Sequence, residues 1–307
     1  MKKALLCVSF GTSVPEAGGS IEAVEAALKR TAPDRRLARA FTSTIIRRLL
    51  SARGEEIPGV SGALEQLAEQ GVEDVLVQPT HILFGNEYEK ICREMAPWKD
   101  RFAALTLGPP LLGGTDDLRQ LAQVLSAAWP AQEDEALVLF GHGTDHFANV
   151  MYAALQTVFQ IQGREDVLVG TVEGWPAYEE VSAQLRRSGR RRIRLAPLML
   201  VAGDHALNDM AGPEDSWRTR LEAEGYRLRC EMQGLGQLRG VQEMYCRHLE
   251  QVLRRETSDG LRALHPQRTE MAAAGVYHRH LRRPGRSRSH PFSSDRVPST
   301  DRGAGDT

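Results

Sequence analysis

Short apolar runs closed by glycine or proline alternate along most of this chain with segments whose apolar positions fall three and four apart. The runs predict buried strands, and the segments between them predict amphipathic helices. The first half gives a strand over residues 3–9, a loop from Gly11 to Gly19, and a helix over Ser20–Leu28 with Ser20 as its N-cap. A strand follows at Arg36–Phe41, then a helix over Thr42–Leu50, another over Val60–Gln70 stopped by Gly71, and a strand at Asp74–Pro79. Tyr88–Met95 resumes helix, Ala104–Leu107 is a fourth strand, and a helix over Asp116–Ala128 closes the half. Strand and helix alternating at this rhythm predict an α/β class with a mostly parallel sheet covered on both faces.

The second half repeats the plan. Ala136–Phe140 corresponds to Ala4–Val8, and Gly141-His142-Gly143-Thr144 lies over Ser9-Phe10-Gly11-Thr12, so each half opens with a strand feeding a Gly-Thr loop. Val167–Val172 is the next strand, and Pro176 suits the first turn of a helix over Ala177–Arg187. Ile193–Val201 matches Val75–Leu83, and its loop Ala202-Gly203-Asp204-His205-Ala206 lies over Phe84-Gly85-Asn86-Glu87-Tyr88. The expected fold is therefore two similar lobes, each a mostly parallel sheet flanked by helices, with the active-site cleft between them. The expected domains are an N-terminal lobe over 1–130, a C-terminal lobe over 131–256, and a disordered tail over 257–307. The tail reading rests on its loss of periodicity and its Arg, His, Ser, Pro and Gly content, with too little apolar surface to offset ordering entropy.

Composition narrows the classes without choosing among them. A chain of 307 residues, 41% hydrophobic and 26% charged, can bury a large core, and a net charge of -1 gives no nucleic-acid footprint. Cys7, Cys92, Cys230 and Cys246 are scattered without a Cys-x-x-Cys, which fits free thiols in a reducing compartment and a cytoplasmic setting. The opening Met1–Phe10 segment imitates a signal peptide but is short and lacks a cleavage site, and no stretch is long enough to span a membrane.

The chemistry gathers at the strand ends of the second half. His142 ends the first strand, Glu173 the second, and His205 follows the third, so in a parallel sheet all three address the same carboxyl-edge cleft. Glycines on both sides of His142 allow a sharp turn that exposes its ring. Two imidazoles and a carboxylate suit cobalt, nickel, iron or zinc, and three ligands without thiolates leave positions open for an incoming substrate. Four of the nine histidines, His265, His278, His280 and His290, lie in the tail.

At these positions the chain resembles a known family. Ser9-Phe10-Gly11-Thr12, Gly141-His142-Gly143-Thr144, Val172-Glu173-Gly174 and Ala202–Ala206 are similar to motifs of the anaerobic-type sirohydrochlorin cobalt chelatases of cobalamin biosynthesis, members of the class II chelatases. The resemblance covers roughly residues 1–255. It implies insertion of Co2+ into sirohydrochlorin with release of two protons, with Ni2+ or Fe2+ as other candidate metals, no organic cofactor, and metal held by His142, Glu173 and His205. Ferrochelatases and smaller nickel or cobalt chelatases are the neighbouring readings.

Metalation requires weakly holding neutral ligands beside a base, which two imidazoles and Glu173 supply; either His142 or Glu173 can accept a pyrrole proton. Candidate substrate contacts are Phe10, Gly11 and Thr12, Met199, Leu200 and Val201, and Glu87, which the repeat sets opposite His205. The expected partners are a tetrapyrrole and a divalent metal, with no nucleic acid or membrane, and homo-oligomerisation is left open. A non-catalytic tetrapyrrole or metal carrier would use the same cleft. A periplasmic-type binding protein lacks its export signal, and a dinucleotide enzyme lacks a Gly-x-Gly-x-x-Gly after the first strand.

Overall fold

A computed structural model describes residues 1–259, with side chains described to Arg254. The first sheet contains β1 (Lys3–Ser9), β2 (Arg36–Phe41), β3 (Asp74–Pro79) and β4 (Ala104–Leu107), all parallel, in the order β2-β1-β3-β4. The second contains β5 (Glu135–Gly141), β6 (Val167–Thr171), β7 (Arg192–Pro197) and β8 (Arg227–Cys230), again parallel, in the order β6-β5-β7-β8. The internal repeat read from the sequence is thus a repeat of topology. In each sheet the chain reverses its direction of winding around the first strand. The carboxyl ends of β1 and β3, and of β5 and β7, therefore flank a crevice of the kind in which open α/β sheets bind ligands.

Helices α1 (Gly18–Thr31), α2 (Thr44–Ser51), α3 (Val60–Glu69), α4 (Asn86–Met95) and α5 (Thr115–Ala128) serve the first sheet. Helix α1 starts before the expected Ser20, because a 3-10 turn over Pro15–Ala17 runs straight into it; Ala17 occupies the cap position and gives no side-chain bond. Ser20 is not the N-cap. In α2 the cap is Ser43, whose hydroxyl accepts from the Ile46 amide at 3.3 Å. The third strand of the second half ends at Pro197, where the repeat aligns it with Pro79, and the backbone from Leu198 leaves the sheet toward His205.

Helix α7 (Tyr178–Ser188) follows β6, but Ala177 is its N-cap, so Pro176 lies before the helix and not in its first turn. Four further elements lie where the sequence pattern assigned none: α6 (Val150–Ile161), α8 (Trp217–Ala223), β8 and α9 (Arg239–Asp259). Most of α9 returns to the first half, packing against α1 and α5. The core follows this return. One apolar cluster joins Leu5 and Leu28 to Leu121, Leu137, Phe159 and Tyr245, so the two sheets share buried surface through their helices. Of the disordered tail expected over 257–307, residues 257–259 instead finish helix α9, and the rest lies outside the described residues.

Charge is paired at the amino edges of the sheets. Arg35 grips Asp74, the first residue of β3, through two bonds of 2.7 and 3.0 Å, and both side chains are buried. Glu135, the first residue of β5, takes Arg229 at 2.9 Å and Arg194 at 3.2 Å. Each pair closes the edge opposite the loops that carry the imidazoles.

Candidate metal centre

The His142 turn is built by close backbone approach. Gly143 has φ +87°, and a Cβ there would lie 2.5 Å from the Gly174 amide nitrogen, so only glycine lets the two loops touch. The approach is tied by the Glu173 amide donating to the His142 carbonyl at 2.7 Å and by Val172 donating to Gly141 at 3.0 Å. His142 Nδ1–H donates to the Gly143 carbonyl at 2.8 Å, which leaves Nε2 with its lone pair facing out, 3.6 Å from Glu173 Oε2.

His205 reaches the same point from the end of the Leu198–Asp204 loop. Its ring meets that of His142 edge to face, with centroids 4.6 Å apart. One ligand atom each from His142, Glu173 and His205 lies within 4.8 Å of the others, and among the described residues no other such group of three occurs. The structure thus brings together the three side chains that the sequence set at one sheet edge.

The sequence analysis missed the partner that aims His205. Asp209 sits one turn further along a π-helical segment, Ala206–Met210, and accepts from His205 Nδ1–H at 2.7 Å. This leaves Nε2 free and raises its basicity, the arrangement in which a carboxylate orients a metal-binding histidine. The signal was the spacing of four between His205 and Asp209, which only becomes a contact once the segment is known to be helical.

The remaining predicted residues divide by lobe. Phe10 is 47% exposed beside the turn at Gly11, whose φ of +101° and packing under Phe41 exclude a side chain. Thr12 holds the Val14 amide at 3.1 Å and abuts Gly203, two residues from His205. Leu200 and Val201 are half-buried against Ile21, Phe41 and Leu50, while Met199 packs on the core of the second sheet. Glu87 stands in the first turn of α4, with Oε2 shut from solvent and unpartnered. Two bonds tie that end of α4 to the loop after β5: Asn86 donates to Asp145 at 2.8 Å, and His146 Nε2–H donates to Glu89 at 3.2 Å.

Below this edge, His81 puts Nε2 3.3 Å from Thr42 Oγ1 and keeps Nδ1 out of solvent without a partner. Burial, aided by the charge of Lys90, pushes its pKa down to about 4. It is a neutral imidazole beneath the first lobe's loops.

The fold of two parallel sheets wound in the same order recurs in SirB from Bacillus subtilis with Fe3+. That structure matches with a TM-score of 0.61 at 17% identity, over 84% of this chain and 98% of that one. The chain belongs to the cobalt chelatase (CbiK) family, whose model matches residues 3–254. It is 44% identical to the sirohydrochlorin cobaltochelatase of Salmonella typhimurium, over 82% of this chain and 97% of that protein. It is 33% identical to the sirohydrochlorin cobaltochelatase CbiKC of Nitratidesulfovibrio vulgaris, over 81% of this chain and 89% of that one.

Proposed function

We propose that this protein inserts Co2+ into sirohydrochlorin, with His142, Glu173 and His205 receiving the ion from solution and releasing it to the ring. The observation that carries the reading is the meeting of two imidazoles and one carboxylate within 4.8 Å, at an edge open to substrate. A metal that must be handed on should be held by few, exchangeable ligands. Imidazole nitrogens satisfy this, since each gives up its metal without having to be reprotonated, whereas thiolates would retain it. Glu173 adds the charge that draws in a dication and lowers the cost of stripping its water.

Metal and tetrapyrrole exchange charge for charge: the ring nitrogens lose two protons as the cation enters. Glu173 and His142 are the bases within reach of those nitrogens, and His205, already donating to Asp209, serves as ligand. On this reading Phe10, Thr12 and Glu87 meet the macrocycle from the first lobe, with Gly11 letting the turn approach. Met199, Leu200 and Val201, in the loop that leads to His205, meet it from the other side. The substrate metal is Co2+; Ni2+ and Fe2+ fit the same ligands by chemistry and are competitors in the assay. No organic cofactor takes part in this scheme.

The test is the absorbance change of sirohydrochlorin mixed with cobalt, with and without protein. Acceleration by the wild type and its loss in His142→Ala is the expected outcome. Binding of cobalt or sirohydrochlorin without acceleration would make the protein a carrier and overturn the proposal.

A further inference from the structure

Beside the metal set, the loops after β5 and β6 border an open, shallow pocket of about 450 Å3. Glu173 forms part of its wall, and Phe147, Val150 and Trp175 supply its apolar surface. These three are 79%, 46% and 57% exposed. Large apolar side chains scattered singly on a surface need no explanation, but three that converge on one concavity mark a place that a ligand covers.

The backbone beneath them is fixed. Asn149 accepts from the Thr144 amide at 3.0 Å and donates to the Trp175 carbonyl at 2.6 Å, joining the two loops through one side chain. A Cβ on Gly174 would fall 2.5 Å from Asn149 Oδ1, so the joint has no room to spare. On its other side, the Pro176 carbonyl takes both the amide and the hydroxyl of Thr171. Trp175 is thus held out on a rigid support, and covering it costs little further ordering.

The occupant is constrained by the wall it shares. Anything that fills the pocket touches Glu173 and so meets the metal site from its side. A flat conjugated ring does this while covering an indole and a phenyl with its own faces. Asp145 and Glu173 line the same pocket and disfavour carboxylate substituents there, which selects the bare ring over its acidic periphery.

We propose that Trp175, together with Phe147, is an aromatic contact that holds the tetrapyrrole ring beside Glu173 and sets its apparent affinity. The proposal rests on the cobalt-insertion reading for the identity of the ring. Metal-free sirohydrochlorin titrated into the protein should quench indole emission saturably, and Trp175→Phe should remove most of that change although Trp98, Trp129 and Trp217 remain. Trp175→Ala should raise KM for sirohydrochlorin about tenfold with kcat nearly unchanged, whereas Trp175→Phe, which keeps a ring, should stay near wild type. If Trp175→Ala fails to fold, Phe147→Ala carries the same expectation from a side chain that is 79% exposed. An unchanged KM in a folded variant overturns the proposal, and so does a fall in kcat alone, which would assign Trp175 to holding the Glu173 loop. Trp175-dependent quenching in a wild type that does not metalate would sink the cobalt-insertion reading and leave the ring site standing. Metalation indifferent to both variants would do the reverse.

Discussion

At the scale of single residues, the site separates the three proposed metal ligands from a group that aims one of them. Asp209 belongs to the second kind, because its bond to His205 Nδ1–H fixes which nitrogen faces the ion. Asp209→Asn should lower cobalt affinity by roughly 10–100-fold, the usual cost of losing a ligand's hydrogen-bond partner. Calorimetric titration measures it, and an affinity equal to wild type would show that His205 needs no such support. His142→Ala and His205→Ala should each weaken cobalt binding, and the double variant should lose much less than the sum, because both act on one ion. Additive losses would break the shared site. Glu173→Gln keeps size and an oxygen but removes charge, so turnover should fall further than tetrapyrrole binding.

His81 supports a different residue-scale expectation, one about stability. The folded chain holds its imidazole with a pKa of about 4 against 6.5 for an unperturbed group, so the unfolded chain binds the proton more readily. Stability from this residue is therefore complete above about pH 6.5 and is lost as pH falls toward 4, at a cost of up to about 3 kcal/mol. Urea unfolding at pH 7 and pH 5 should show a smaller acid loss in His81→Gln than in wild type. Equal losses would mean that His81 is not the group responsible.

At the scale of elements, the decisive feature is the contact between the two loops that carry His142 and Glu173. Gly143→Ala must either strain a φ of +87° or push Gly174 away, and the second separates the two ligands. Stability should fall by about 1–3 kcal/mol and cobalt affinity should fall with it. Gly189, which ends α7 with φ +69° and has open space within 4 Å of where a Cβ would stand, is the control. Gly189→Ala should cost about 1 kcal/mol and leave cobalt binding alone. If both variants behave alike, the loop contact does not set the metal geometry. This contact was half legible: the glycines announced a turn at His142, but nothing in the spacing of Gly143 and Gly174 said that their backbones meet. The missed α6 illustrates the same limit, since a segment apolar on most sides, Val150–Ile161, carries little periodicity to read.

At the scale of the whole molecule, α9 ties the end of the described chain to its beginning. Tyr245 is buried and donates to the Thr80 carbonyl at 2.6 Å, at the carboxyl end of β3 and next to His81. Burial raises its pKa far above the ordinary tyrosine range, so the phenol stays a donor at any working pH. Tyr245→Phe removes the hydroxyl that this carbonyl accepts from and should cost about 1–2 kcal/mol in denaturant unfolding, with metal affinity nearly unchanged. A loss confined to metal binding would instead link α9 to the site directly.

The alternation of strands and helices, the repeat of the two halves and the candidacy of His142, Glu173 and His205 were all fixed by local pattern. Buried parallel strands must be apolar, their ends must turn, and in such sheets the turns at one edge share a cleft. Tertiary structure alone decided which carboxylate aims His205, that one glycine backbone rests on another, that Ala17 rather than Ser20 opens the first helix, and that α9 crosses back to the first sheet. Each of these depends on distances between segments remote in sequence or on the register of a short helical turn. Hydrophobic periodicity records which face of an element is buried, and it carries no information about what that face meets.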